Sequence, residues 1–303
     1  MSQTNVLKNI SPFIYGTTRL GDEQIPFNER VDVAFAAMQS GVWFHISRQY
    51  NNALELLAVA FDKDRAKVPK LIAKIEGKNM DAFKADIKRN LDPIGVESLD
   101  VGQLCLLGDL EKDFAAGGSS LIELEKIRES GLVKSYVLEV FPWTSKTALS
   151  VLKNDNAKGL VDGYILYLNP LQRFASNELW DLLMAQKQPI ISLRTVAGGP
   201  VHRLRDVPGA AWKDYLQKRA VEVAPIFEKS GIKSWTEFCF RFAFSIPNVI
   251  STVGSTAKVS NLEEFLTGKE KIRPLQQEIL QELFQLQRKW SDEFDIHAEP
   301  WTM

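Results

Sequence analysis

Along most of the chain, short runs rich in Val, Ile and Leu are followed by longer segments in which apolar residues recur with helical period. The short runs predict strands at 13–16, 42–46, 70–74, 103–107, 135–140, 164–168, 190–193 and 249–253. Between them, Val31, Ala34, Phe35 and Met38 share one helical face, and Leu54, Leu57, Ala58 and Phe61 share another. Further helices are expected at 81–90, 119–130, 145–152, 177–186, 210–229 and 261–266, with Gly41, Gly131 and Gly231 at helix stops. Such alternation favours a parallel α/β fold, and eight strand-then-helix units need about 250 residues when closed into a (β/α)8 barrel. The expected fold class is therefore α/β, a TIM barrel in one domain over residues 1–303, with 270–303 as a C-terminal helix and tail. Leu275, Ile279, Leu283 and Leu286 mark the apolar face of that extra helix, over 274–290, which is expected to pack on the barrel or extend over its mouth.

Composition narrows the function classes. The 303 residues are 45% hydrophobic and 25% charged, as in an ordinary soluble globular protein. Basic and acidic residues, 37 and 38, are spread along the chain to a net charge of -1, so no electrostatic footprint points to nucleic acid or an anionic membrane. A small molecule is the default ligand. Cys105 and Cys239 each lie in an apolar run, outside any CxxC or Cys/His cluster, so no metal site is expected and both read as reduced core thiols of a cytoplasmic protein. The opening segment MSQTNVLKNISPF lacks a basic stretch followed by a long apolar core, and no apolar run approaches the roughly 18 residues of a membrane span.

Five segments, in order and spacing, resemble the aldo-keto reductase family. FIYGTTRLG (13–21) is similar to the family's opening strand and loop, and GVWFHISRQYNNA (41–53) to the strand and loop that carry its catalytic tyrosine. PKLIAK (69–74) resembles the strand that ends in the catalytic lysine, and IKRNLDPIGVESLDVGQLCLLGD (87–109) the helix, loop and strand that end in the catalytic histidine. VISTVGSTAKVSNLEE (249–264) is similar to the last strand and the helix start that hold the cofactor's adenosine phosphate. The resemblance implies a (β/α)8 barrel that binds NADP(H) or NAD(H) without a Rossmann domain and reduces a carbonyl.

Carried over residue by residue, the resemblance assigns Tyr50 as proton donor and Lys74 as the lysine that lowers its pKa. The position of the paired aspartate, five residues before the tyrosine, holds His45, and that of the histidine holds Gly108. The family's nicotinamide-amide contacts fall on Glu139-Val140 and Ile165, and its stacking aromatic falls near Leu193. Gly254, Ser255, Thr256, Asn261 and Glu264 are the implied cofactor-binding residues.

The residues themselves add candidates. A lysine at the end of an apolar strand costs several kcal/mol unless paired, which points Lys74 to the barrel mouth. Glu76 or Asp109 supplies the lost charge or is a solvated loop carboxylate, and His45 is either a third catalytic candidate, expected to be neutral beside Lys74, or a strand-end histidine satisfied by a backbone carbonyl. Arg48 and Arg194 map to strand ends, where two guanidinium groups suit a ligand carboxylate or phosphate; pairing with a surface acid is the alternative for each. Trp143, with Phe141 and Pro142, suits an apolar substrate pocket or the barrel rim, and Gly198-Gly199-Pro200 resembles a phosphate-cradling turn. Three functions are compatible with these residues. The first is an NAD(P)H-dependent carbonyl reductase with an altered tetrad; the second is a barrel of the same ancestry turned to elimination or isomerisation; the third is a non-catalytic binding subunit.

Overall fold

The computed structural model describes residues 6–140, 145–157, 159–196, 213–270 and 272–297. Its strands are β1 (Phe13–Gly16), β2 (Trp43–Ile46), β3 (Leu71–Gly77), β4 (Val101–Leu106), β5 (Tyr136–Val140), β6 (Val161–Asn169), β7 (Gln172–Arg173), β8 (Ile190–Leu193) and β9 (Val249–Ser255). All but β7 run parallel, and the pairings β1–β9 and β5–β6 close them into an eight-stranded barrel; β7 pairs antiparallel with the end of β6. The surrounding helices are α1 (Phe27–Gln39), α2 (Ala53–Asp62), α3 (Met80–Leu91), α4 (Gly108–Ala115), α5 (Ser119–Glu129), α6 (Ser145–Asn154), α7 (Asn177–Ala185), α8 (Lys213–Lys229), α9 (Trp235–Phe244), α10 (Val259–Glu270) and α11 (Gln277–His297). The fold is thus the expected TIM barrel with an extra C-terminal helix, and α11 packs on α7, α8 and β7.

Strand periodicity divides the core in two. Phe13, Tyr15, Phe44, Ala73, Leu104, Leu138, Leu166 and Ile190 join the apolar faces of the helices in the outer cluster. Ile14, Trp43, Ile72, Val101, Val137, Ile165, Ile191 and Val253, on the opposite faces of the strands, form a second cluster that fills the barrel interior. Two residues further along the same strands, on the same face, come His45, Lys74, Gln103, Glu139 and Tyr167. An apolar floor therefore carries a polar layer toward the carboxyl ends of the strands, where this architecture places its sites.

Several elements differ from the expectation, among them β3, α4 and α9. β3 continues to Gly77, so Lys74 lies in the middle of the strand rather than at its end. α4 follows β4 almost without a gap, and its eight residues merge with the preceding apolar run in the sequence pattern. α9 was missed because apolar residues cover most of its circumference: Trp235, Phe238, Cys239, Phe240 and Phe242 are all buried, and Glu237 and Arg241, one turn apart, leave only a narrow polar stripe to reveal a helical period.

Helix α3 ties the site-bearing strands together. Asn90 accepts from the Arg48 backbone N–H at 2.9 Å and donates to the Lys74 carbonyl at 3.3 Å, while Asp86 accepts from the Glu76 N–H at 2.9 Å. One helix thus fixes both β3 and the loop that leads from β2 to Tyr50. On its other side this loop lies against Gly21: a Cβ there would run into the Tyr50 carbonyl, 2.8 Å from its carbon, and Asn51 Nδ2 donates to the Gly21 carbonyl at 2.9 Å. Gly21→Ala is accordingly expected to cost about 1–3 kcal/mol by forcing the two loops apart. Urea denaturation measures it, and unchanged stability contradicts the close approach.

Candidate functional site

Within the polar layer, a continuous set of contacts joins four strands. His45 Nε2 lies 2.6 Å from Gln103 Oε1, Gln103 Nε2 donates to Glu139 Oε1 at 3.0 Å, and Lys74 Nζ is 3.4 Å from the same oxygen. Gln103 directs its amide N–H to Glu139, so its carbonyl faces His45, and the proton at that contact belongs to His45 Nε2. Burial holds the His45 pKa down at about 4, with Lys74 adding to the lowering and the bond to Gln103 opposing it. The imidazole is therefore neutral at physiological pH. Burial raises the Glu139 carboxyl above the usual carboxylate range, while Lys74 and the hydrogen bonds from Cys105, Lys74 and Gln103 counter it.

Burial also acts against charge on Lys74, yet Cys105, Glu139, Tyr50 and Tyr167 together hold its pKa above that of a free lysine. The ammonium is in electrostatic contact with Tyr50, whose ring lies 6.3 Å from that of His45. Tyr50 departs from what the resemblance implied. Its pKa is pushed up to about 12 by burial, which outweighs the lowering by the Thr18 hydrogen bond and Lys74. The phenol stays protonated throughout the physiological range, as suits a proton donor.

The carboxylates considered for Lys74 are engaged elsewhere. Glu76 accepts a hydrogen bond from Gln49 and pairs with Arg48 at 3.8 Å, and the exposed Asp109 pairs with Lys112 at 3.5 Å. Glu139 holds Lys74 instead. The sequence signal for it was a lone glutamate in a run of Val and Leu, on the same strand face as Val137. Gly108 is not at the end of β4 but opens α4 with a left-handed φ of +59°; the side chains that β4 contributes are those of Gln103 and Cys105. Burial raises the Cys105 thiol well above its ordinary pKa.

The two arginines separate. Arg48 is turned to α3, where it pairs with the buried Asp86, and it serves to hold the Tyr50 loop. Arg194, just past β8, places its guanidinium over the Tyr167 ring, 4.6 Å from the centroid, and Tyr167 is in electrostatic contact with Lys74 and Glu139. Arg194 has a left-handed φ of +51°, a conformation costly for a non-glycine residue, and its carbonyl accepts from Asn169 at 3.0 Å. Trp143, Phe141, Pro142 and the Gly198-Gly199-Pro200 turn lie outside the described residues.

Near the end of β9 the implied cofactor residues divide. Gly254 faces the helices, where a Cβ would meet Phe13 and Phe265 at 3.0 and 3.1 Å, so its glycine is explained by packing. Ser255 Oγ accepts from the Arg19 N–H at 2.8 Å, and Thr256 Oγ1 accepts from the Lys258 N–H at 3.1 Å, shaping the turn into α10. Asn261 is exposed in the first turn of that helix; Glu264, one turn on, accepts from Ser234 at 3.1 Å. Among the described residues no group of three or more His, Cys, Asp or Glu side chains is placed to hold a metal ion, and no helix is long and apolar enough to cross a membrane.

No family model matches the sequence, and no curated protein is similar to it in sequence. Solved structures are similar in fold. An aldo-keto reductase from Klebsiella pneumoniae in complex with NADPH superposes with a TM-score of 0.66 at 16% identity, covering 92% of each chain. A Klebsiella pneumoniae aldo/keto reductase with NADP and acetate gives 0.67 at 15% identity, again over 92% of each. A thermostable aldo-keto reductase with the inhibitor epalrestat gives 0.68 at 15%, over 91% of this chain and 95% of its own. The chain has the barrel fold of the aldo-keto reductases.

Proposed function

We propose that the protein is a carbonyl reductase of aldo-keto reductase type that uses NADPH or NADH. One observation carries the reading: Tyr50 and a charged Lys74 are in electrostatic contact on the mouth side of a barrel whose solved likenesses include NADPH-bound aldo-keto reductases. The end of β9 fits the phosphate end of such a cofactor. Ser255 and the Thr256–Lys258 turn lead into the N-terminus of α10, where Asn261 is exposed, and the unpaired N–H groups of a helix's first turn attract anions. When bound, the nicotinamide supplies the hydride.

The protein's own residues handle the proton and the charge. Tyr50 donates to the oxygen of the carbonyl as negative charge develops there, and Lys74 stabilises the tyrosinate left behind. Arg194, stacked on Tyr167, offers a planar pair of donors to a carboxylate or phosphate elsewhere on the substrate. The substrate is thus a small carbonyl compound with an anionic substituent.

A second reading rests on Glu139. It stands where the resemblance places a nicotinamide-amide contact, and a buried carboxylate of raised pKa suits proton abstraction beside a carbonyl. Solvent deuterium incorporated next to a carbonyl, without nicotinamide turnover, favours this alternative.

Tyr50→Phe keeps the ring and removes the hydroxyl. NADPH-dependent reduction of an aldehyde panel is expected to fall about 10²–10⁴-fold with NADPH binding and circular dichroism unchanged; full activity removes Tyr50 from the mechanism. The acid form is the active one and its pKa is raised, so kcat/KM for reduction is expected to stay flat from roughly pH 7 to 10. An alkaline limb inside that window assigns the proton to another group. Arg194→Gln is expected to raise KM for 4-carboxybenzaldehyde about tenfold while leaving benzaldehyde within about twofold. Equal effects on both aldehydes contradict the anion contact.

A further inference from the structure

The reductase reading needs a charged, fixed lysine, and the strand beside it does not provide the counter-ion. His45, the β2 residue in register with Ile72, is in electrostatic contact with Lys74 and is neutral, with its Nε2 proton directed to Gln103 rather than to the ammonium. On the other side, Gln103 is the β4 residue in register with Lys74, and Val137 is the β5 residue in register with Gln103. Glu139 therefore reaches Lys74 from two strands away. Neighbouring strands lie about 4.8 Å apart, so the span across β4 is roughly 10 Å, within reach of two long side chains that extend toward each other.

We propose that Glu139 and Gln103 are positioning residues for Tyr50: Glu139 brings from β5 the carboxylate that keeps Lys74 charged and aimed, and Gln103 holds that carboxylate in place. The bond directions agree. His45 donates to the Gln103 carbonyl, the Gln103 amide donates to Glu139, and Glu139 accepts from Lys74, so each group polarises the next toward a carboxylate that stays ionised. This order also accounts for His45. A neutral imidazole anchors the far end of Gln103, whereas a second carboxylate at position 45 would put two negative charges around one ammonium. The groups that face Lys74 are His45 and Tyr50 from β2 and its loop, Cys105 from β4, Glu139 from β5 and Tyr167 from β6; Glu76 lies on β3 itself and Arg194 covers the far side of Tyr167.

The proposal rests on the reductase reading for its effect on rate, but the state of Lys74 is measurable without any turnover. In protein labelled with ¹⁵N-lysine, the Nζ resonance of Lys74 is identified by its loss in Lys74→Arg and followed against pH in the full chain. In the wild type it is expected to remain charged beyond about pH 10. In Glu139→Gln its titration is expected to move down by about one unit or more, because the ammonium loses its counter-ion while its burial remains. His45→Asp combined with Glu139→Gln puts a carboxylate on β2 instead and is expected to return the titration toward that of the wild type.

The same variants, assayed with NADPH and an aldehyde, are expected to show kcat lowered about tenfold or more in Glu139→Gln, with KM nearly unchanged, and recovered in the double variant. Gln103→Leu removes the donor that favours ionised Glu139, so the acid limb of the rate profile moves to higher pH; an unmoved limb removes Gln103 from the proposal. Lys74 titrating in Glu139→Gln as it does in the wild type overturns the role of Glu139. A folded double variant that stays at the Glu139→Gln level in both titration and rate overturns it equally; if Glu139→Gln does not fold, a folded double variant whose Lys74 titrates about one unit or more below the wild type overturns it. If Lys74 responds as expected but the wild type reduces no carbonyl, the pairing stands and the reductase reading falls.

Discussion

A lysine ammonium inside a barrel is the constraint around which the site is arranged. Removing such a group from water costs several kcal/mol, and a carboxylate at 3.4 Å offsets this only when the remaining hydrogen bonds of both partners are met. Lys74 and Glu139 meet that condition through Gln103, which in turn requires a donor from β2, and His45 supplies it. Replacing a buried ion pair with packed apolar residues is often neutral or stabilising, which fits the proposed role of this pair in the reaction. The floor of Ile14, Ile72, Val101, Val137, Ile165 and Ile191 shows what the same strand faces carry where no chemistry is required.

Two scales of order place the tyrosine beside this pair. Strand periodicity puts His45, Lys74, Gln103, Glu139 and Tyr167 in one layer, because each lies two residues past an interior apolar residue on its own strand. The loop that carries Tyr50 needs separate support, which comes from α3 on one side and Gly21 on the other. Asp86 and Asn90, on α3, link the Arg48 segment to the β3 backbone and so set the position of Tyr50 relative to Lys74. Arg48, which looked like a ligand-binding residue in the sequence, belongs to this scaffold. Arg194 is the arginine that reaches the polar layer, and its left-handed backbone, held by Asn169, is the kind of local strain that collects at functional sites.

The barrel was legible because its strands are buried on both faces and its helices on one, so a change of period marks most strand-to-helix boundaries. β1 and β8 match the expected residues without shift, whereas the ends of β3, β6 and β9 run longer than their apolar runs, since backbone pairing continues past the last apolar side chain. The missed helix α9 shows the reverse limit, a segment so buried that its polar face narrows to Glu237 and Arg241. Tyr50 and Lys74 came to notice through the resemblance of their segments to those of the aldo-keto reductases. The partnership of Lys74 with Glu139 did not, because 65 residues separate them and the contact arises only when β4 is inserted between their strands. Reasoning along the sequence turned to the nearest acids, Glu76 and Asp109; barrel closure selected a distant one.

On the proposed function, the buried pair of Lys74 and Glu139 serves the reaction and not the fold. The most direct test is to replace both partners at once, Lys74→Met with Glu139→Leu, and to measure unfolding free energy beside NADPH-dependent aldehyde reduction. The predicted result is a protein folded at least as stably as the wild type, to within about 1 kcal/mol, whose reductase activity is lost. A double variant that reduces aldehydes at the wild-type rate, or that loses stability by about 3–5 kcal/mol as a broken pair would, contradicts it.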